Sequence, residues 1–278
     1  MIPSMPHASA DEWLSLARRL VEQAADLSVA RFGTVKASLK PDKSVVTHVD
    51  HDIQRHLVNA IAEACPEHAI IAEEHVEPVA VYPSPTTARF CWVIDPLDGT
   101  RNYVLGVRCF STSIALLDRG RPILGVVLEH NLRDLYVAVL GRGTRRNGTP
   151  VRVLDPPDGD DLLVGFPSSK DSLAVAVTRA WAAERGLIAR NLGSTALQLG
   201  LVASGAMAAT FAKRSKIWDE AAGALLVTEA GGRFTDASGR DPVPFDLATD
   251  PQRDLPFLAG APRAHARLLP TLAGLPHA

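Results

Sequence analysis

The chain has no apolar run near the roughly 20 residues that a membrane-spanning helix needs, and its opening stretch MIPSMPHASADEW lacks the basic start and apolar core of a secretory leader. A soluble, cytoplasmic protein is the expectation. An excess of one charge is missing too: 29 Lys and Arg face 31 Asp and Glu, for a formal net charge of -2. That balance gives no global attraction to nucleic acid or to an anionic membrane, so any anion site has to be local. Cysteine is scarce. Cys65, Cys91 and Cys109 are an odd number without a C-x-x-C pair, which reads as reduced thiols rather than a disulfide frame. Nine histidines are present, yet there is no H-E-x-x-H, and His51 and His56 stand five apart, so zinc has no ligand pattern to rest on. No internal repeat and no low-complexity segment is seen.

What is there suffices for a large core, since 278 residues bury about three-quarters of their unfolded surface. Trp13, Leu16, Ala17, Leu20, Val21, Ala24 and Leu27 recur at helical spacing, and Ile53, Leu57, Ile61 and Ala64 mark a second helix that Pro66 ends. The stretch HAIIAEE reads as a buried strand running into two acids. STSIALLD, RPILGVVLEH and DLYVAVLG follow the apolar run Phe90 to Ile94 at hairpin spacing, with Asn147-Gly148 as a turn. The first half is therefore α+β. LDPPDGDD, Leu154 to Asp161, reads as a linker between an N-terminal domain, 1–153, and a C-terminal one, 154–278. Beyond it, LLVGF, a helix from about Ser194, MAATF, a helix from Asp219 and PFLAGA alternate as in α/β proteins.

The chemistry concentrates in CWVIDPLDGTRNYVLG, Cys91 to Gly106, where a buried strand ends in Asp95 and Asp98 with nothing basic beside them. Like charges so close are costly unless a cation holds them. Glu73 and Glu74 end a second strand in the same way, and Asp219 opens a helix, as a metal ligand or as its N-cap. Oxygen ligands without His or Cys favour a hard cation, with Mg²⁺ first. Two such ions about 3.5–4 Å apart stabilise both the attacking and the leaving oxygen of an in-line displacement. Thr100 follows Gly99 at a short helix start, where free amides suit a phosphate oxygen. Asp50 fits either an N-cap or, bonded to the Thr100 hydroxyl, the group that holds the attacking water.

These segments resemble a known family. WVIDPLDGTRNYVLG is similar to the W-x-I-D-P-L/I-D-G-T-x-N-F signature of the inositol monophosphatase superfamily, and WDEAAGALLVTEAGG resembles its W-D-x-A-A-G second signature. AEE and KPDKSVVTHVD are similar to two further family segments, so the likeness runs from about Lys40 to Asp236. The resemblance implies a layered αβαβα sandwich of the inositol monophosphatase/fructose bisphosphatase type. It also implies Mg²⁺-dependent hydrolysis of a phosphate monoester, with two or three ions, often a homodimer and often lithium inhibition. Carried over, Glu73, Asp95, Asp98 and Asp219 are metal ligands and Leu97 gives a backbone carbonyl. Asp50 and Thr100, with Glu73, serve catalysis by activating water. Gly99 and Thr100 offer amides to the phosphate, and Gly193, Ser194 and Thr195 line the substrate.

One departure bears on the substrate. Inositol-preferring members carry a glutamate seven positions before the final metal aspartate, and here that position is Ala212, followed by Lys213, Arg214 and Lys216. The cations either grip a second phosphate or carboxylate, which places Lys213 and Lys216 among substrate-binding candidates, or form a solvated loop face. The expected activity is that of a phosphatase acting on a small polyol, sugar or cyclitol phosphate. Rivals are a 3'(2'),5'-bisphosphate nucleotidase, a fructose-1,6-bisphosphatase, a histidinol phosphate phosphatase, or a binding protein that keeps the site as a relic. A haloacid-dehalogenase phosphatase would need D-x-D, and the spacing here is D-P-L-D.

Overall fold

Two sheets organise the chain in the computed structural model, which describes residues 7–34, 38–39, 45–74, 82–155, 161–166 and 172–273. The larger has seven strands in the order Ala69–Ala72, Phe90–Asp98, Ser111–Asp118, Arg121–Glu129, Leu135–Val139, Thr144–Arg146 and Thr149–Val151. Its first pair is parallel and the rest form an antiparallel meander. Asn147 and Gly148, with φ of 50° and 80°, make the two-residue tip of the last hairpin, as the twist of paired strands demands.

Apolar residues fill both faces of this sheet because both are covered. Along Phe90–Asp98, Trp92 and Ile94 join a cluster with Leu20, Val21, Ile53 and Leu57 of the outer helices His7–Arg31 and His48–Ala64. Cys91 and Val93 point the other way, into a cluster with helices Thr195–Ala203 and Ile217–Glu229. Those helices also back the second sheet, ordered Leu187–Arg190, Leu162–Gly165, Ala209–Ala212, Phe257–Gly260, Arg233–Asp236. Helices Ser172–Ala183 and Pro262–Ala273 cover its far side. The layers run helix, sheet, helix, sheet, helix, the αβαβα order that the resemblance implies.

The second half departs from a simple alternation. Its first three strands are parallel, but Phe257–Gly260 runs antiparallel to both of its neighbours. Helices Ser172–Ala183 and Pro262–Ala273 and strand Leu187–Arg190 add to the elements read from sequence. Residues 156–160 of the linker and 40–44 of the KPDKS segment lie outside the described residues. We keep the division at 153/154 as a proposal. It separates the two sheets, although the central helices belong to the second part and pack on both.

The small residues after Asp219 explain how those helices fit. A Cβ on Gly223 would lie 2.2 Å from Leu199 Cδ1, so the two central helices touch where a side chain has been removed. Their buried faces include Ala221, Ala222 and Ala224 on one and Leu199 and Ala203 on the other. The A-A-G of the second signature thus serves packing density and sets the height at which Asp219 meets the sheet.

Candidate active site

A bulge in strand Phe90–Asp98 creates the site. Asp95 pairs with Ser113 and Asp98 with Ser111, three steps on one strand against two on the other. Residues three apart on a regular strand face opposite sides, and the extra residue cancels that alternation, so Asp95 and Asp98 meet on the face that carries Cys91 and Val93. Asp95 Oδ1 accepts the Leu97 N–H at 3.0 Å, which closes the bulge. Glu73 extends the neighbouring strand, its N–H donating to the Ile94 carbonyl at 3.3 Å, and this register sets it beside Asp95. Gln54 clamps the next residue through both backbone groups of Glu74, at 2.5 and 2.8 Å.

The central helices bring the remaining groups. Asp219 was open to reading as an N-cap, but helix Ile217–Glu229 begins two residues earlier. Asp219 occupies the third position instead, where its Oδ2 accepts the Lys216 N–H at 2.7 Å. The N-cap reading of Asp50 is corrected in the same way. Thr47 caps helix His48–Ala64, and Asp50, at the third position, accepts the Thr47 N–H at 2.9 Å. Each aspartate thus spends one oxygen on a helix start and leaves the other for the site. Ser194 caps helix Thr195–Ala203 and is 1 % exposed; its hydroxyl donates to Asp98 Oδ2 at 2.7 Å, as does the Ala196 N–H. Its side chain therefore orients Asp98, from within the segment read as lining the substrate.

Asp95, Asp98 and Asp219 converge, each offering one oxygen within 4.8 Å of the others'. Burial pushes all three carboxyls up, Asp98 to about 6 and Asp219 to about 8. The charges that add to it on Asp95 are those of Glu73, Asp98 and Asp219. Such a cluster holds its charge only with a cation. Oxygens gathered this closely can share one ion, and an all-oxygen donor set is what a hard cation takes. The residues therefore fit Mg²⁺.

The Thr100 hydroxyl lies 2.9 Å from Asp50 Oδ1 and 3.0 Å from the Leu97 carbonyl, and its single proton serves one of them at a time. A cation on that carbonyl would turn the proton to Asp50. Gly99 takes φ of 94°, and a Cβ there would come within 3.0 Å of the Cys109 carbonyl, so only glycine makes this turn. Asn102 donates to the Cys109 and Leu192 carbonyls at 2.7 and 2.6 Å, tying the short helix Thr100–Leu105 to the Gly193 loop. Gly193 on that loop and Thr195 at the start of the helix that follows are half-buried.

The basic segment is less free than its sequence suggests. Lys216 Nζ donates to Asp254 Oδ1 at 2.7 Å and also to the Gln252 carbonyl, and Arg214 Nε lies 4.0 Å from Asp254 Oδ2. Lys213 is half-buried beside them. Ala212 is buried in the apolar cluster of the central layer.

Gln54, Asn102 and the Ser194 bond to Asp98 were not legible as site features. Asn102 left a trace as the asparagine of the first signature, and Gln54 as a polar residue beside Ile53 on the buried face of its helix.

The sequence pattern of the inositol monophosphatase family matches residues 9–274. A protein of Pasteurella multocida named Nus factor SuhB is 35% identical over 236 residues, covering 81% of this chain and 85% of its own. The solved inositol monophosphatase (IMPase) of Thermotoga maritima is 28% identical with a TM-score of 0.81, over 94% of this chain and 97% of that one. An IMPase/NADP phosphatase solved with Mg²⁺ and phosphate superposes with a TM-score of 0.80 at 24% identity, over 96% and 97%, a likeness of fold. The chain belongs to the inositol monophosphatase family.

Proposed function

We propose that this member of the family is a Mg²⁺-dependent phosphatase that hydrolyses the phosphate monoester of a small polyol, sugar or cyclitol. The observation that carries the reading is the convergence of Asp95, Asp98 and Asp219 within 4.8 Å, next to a Thr100 hydroxyl 2.9 Å from Asp50. Asp95, Asp98, Asp219, Glu73 and the Leu97 carbonyl would hold the ions. Bound there, Mg²⁺ supplies positive charge to the phosphoryl oxygens and acidifies the attacking water.

The chain's own groups do the rest. Asp50 holds the Thr100 proton, which leaves the Thr100 oxygen as an acceptor aimed at the water. The proton released has a carboxylate within reach, and burial raises the Asp50 carboxyl above its ordinary value. Amides of Gly99 and Thr100 orient the phosphate. Ser194 and Ala196 keep Asp98 from turning away.

The buried Ala212 and the tethered Lys216 shape the choice of substrate. An apolar position 212 gives ring hydroxyls no acceptor. A second phosphate at Lys216 and Arg214 would have to displace Asp254. The tether favours a monophosphate over a 3'(2'),5'-bisphosphate nucleotide or fructose 1,6-bisphosphate, and Ala212 favours other monophosphates over that of inositol, with histidinol phosphate as a further candidate. Phosphate release from inositol, sugar, histidinol and nucleotide phosphates, with and without Mg²⁺, tests this. Turnover of monophosphates only with Mg²⁺ supports the proposal, and no release from any of them overturns it. The relatives' name, Nus factor, motivates a second reading as a binding factor. An inert chain in that panel would favour it.

A further inference from the structure

His130 is buried beneath the bulge, on the side away from the carboxylates, and no step above uses it. Its Nδ1 lies 2.6 Å from Ser28 Oγ and its Nε2 lies 2.9 Å from Thr112 Oγ1. Each hydroxyl also reaches a carbonyl, Ser28 that of Ala25 at 3.0 Å and Thr112 that of Pro96 at 2.7 Å. All three side chains are fully buried. Four contacts in a row thus join a helix carbonyl to a carbonyl between Asp95 and Asp98.

Protons decide how the row is filled. Burial pushes the His130 imidazole down to about 3, so the ring is neutral and carries one N–H. With two hydroxyl protons that makes three protons for four contacts, and one contact at an end stays empty. If Nε2 carries the hydrogen, it donates to Thr112, and the Thr112 proton goes to Pro96. If Nδ1 carries it, the Thr112 proton turns back to the ring and Pro96 loses its donor. Two facts choose the first arrangement. The longest contact is the one to Ala25, and that residue lies inside helix His7–Arg31, whose carbonyls are bonded along the helix.

We propose that His130, as the Nε2–H tautomer, acts through Thr112 as a positioning residue that locks the Pro96 carbonyl and so the bulge presenting Asp95 and Asp98 to a divalent cation. The inference rests on reading those aspartates as cation ligands. Partners one step behind a ligand set its orientation, and their loss weakens metal binding about 10-fold or more.

Two measurements test it, and each can fail by itself. The first is the ¹⁵N spectrum of the histidine-labelled, metal-free protein, with His130→Gln to identify the signal. An unprotonated Nδ1 and a protonated Nε2 are expected, and the opposite tautomer or a doubly protonated ring overturns the relay whether or not a cation binds. The second is calorimetric titration with Mg²⁺. Thr112→Val should weaken binding about 10-fold, Thr112→Ser should recover it to within about threefold, and Ser28→Ala should stay within about twofold of the parent. Melting temperatures fall in both Thr112→Val and Ser28→Ala, so a merely structural role predicts equal effects. Equal loss in those two variants, or none in Thr112→Val, overturns the proposal. Failure of the unaltered protein to bind Mg²⁺ overturns the proposed function and this inference's second half together, while the tautomer result stands.

Discussion

Asp50 and Asp52 stand two residues apart on one helix and titrate in opposite directions. Burial is the largest single influence on Asp52 and pulls it up, but Arg31 and Arg55, at 2.5 and 3.1 Å, together outweigh it and hold the carboxyl below the usual range. Asp50 is buried, and that burial raises it although Thr47 and Thr100 donate to it. On the surface the fold answers an acid with an arginine. In the site it answers with hydroxyls and amides, which orient a carboxylate without neutralising it. A charge left open in this way is a place for an external cation, and it costs stability until one arrives.

Removing an acid from the site should produce the largest effect. Asp98→Asn keeps an oxygen for Ser194 and Ala196 but loses the charge, so phosphate release should fall by about 10²–10³-fold or more. The melting temperature of the metal-free variant should equal or exceed the parent's. A fall in both would mean that Asp98 serves folding, as Asp52 does. Next, Thr100→Val should lower kcat about 10²-fold with little change in Mg²⁺ affinity, as steady-state kinetics and calorimetry would show.

Acidity sharpens the contrast further. Asp95, Asp98 and Asp219 are raised in the folded chain, so it keeps protons that the unfolded chain releases. Stability of the metal-free protein therefore falls as pH rises from the ordinary carboxylate range through about 6 and about 8, the Asp98 and Asp219 values. Protons compete with the cation for the same oxygens, so scanning calorimetry should find a larger Mg²⁺ stabilisation near the upper value than near the lower. At a hundredfold excess over Kd it reaches about 2.7 kcal/mol. A Mg²⁺ effect independent of pH would contradict this. The smallest effect belongs to Asp52→Asn. Its pair with Arg31 is half-exposed, and its loss should cost about 0.5 kcal/mol or less while turnover stays unchanged. Asp52 is held low, so its contribution is present above its unfolded pKa and lost as pH falls through the folded one. Denaturation in mild acid and at neutral pH would show the difference.

Much of this was legible in the chain. Apolar runs revealed the strands around Phe90–Asp98, and the W-D-x-A-A-G stretch revealed a helix whose glycine proves to be a packing contact with Leu199. Acids at strand ends stood out because nothing local explains them. What stayed hidden depends on distance along the chain. Ser194 reaches Asp98 across 96 residues, and His130 reaches Ser28 across 102, contacts with no local periodicity. The bulge between Asp95 and Asp98 was hidden as well, since only pairing with Ser111 and Ser113 defines it. The partner of Lys216 was hidden for the same reason: Asp254 lies 38 residues away.

The central claim is that acids remote in sequence form one cage for divalent cations. A crystal structure of the protein grown with Mg²⁺ tests it most directly. Metal density about 2.1 Å from oxygens of Asp95, Asp98 and Asp219, with the Thr100 hydroxyl turned to Asp50, is the predicted result. Density elsewhere, or those three carboxylates turned apart with Mg²⁺ present, would contradict it.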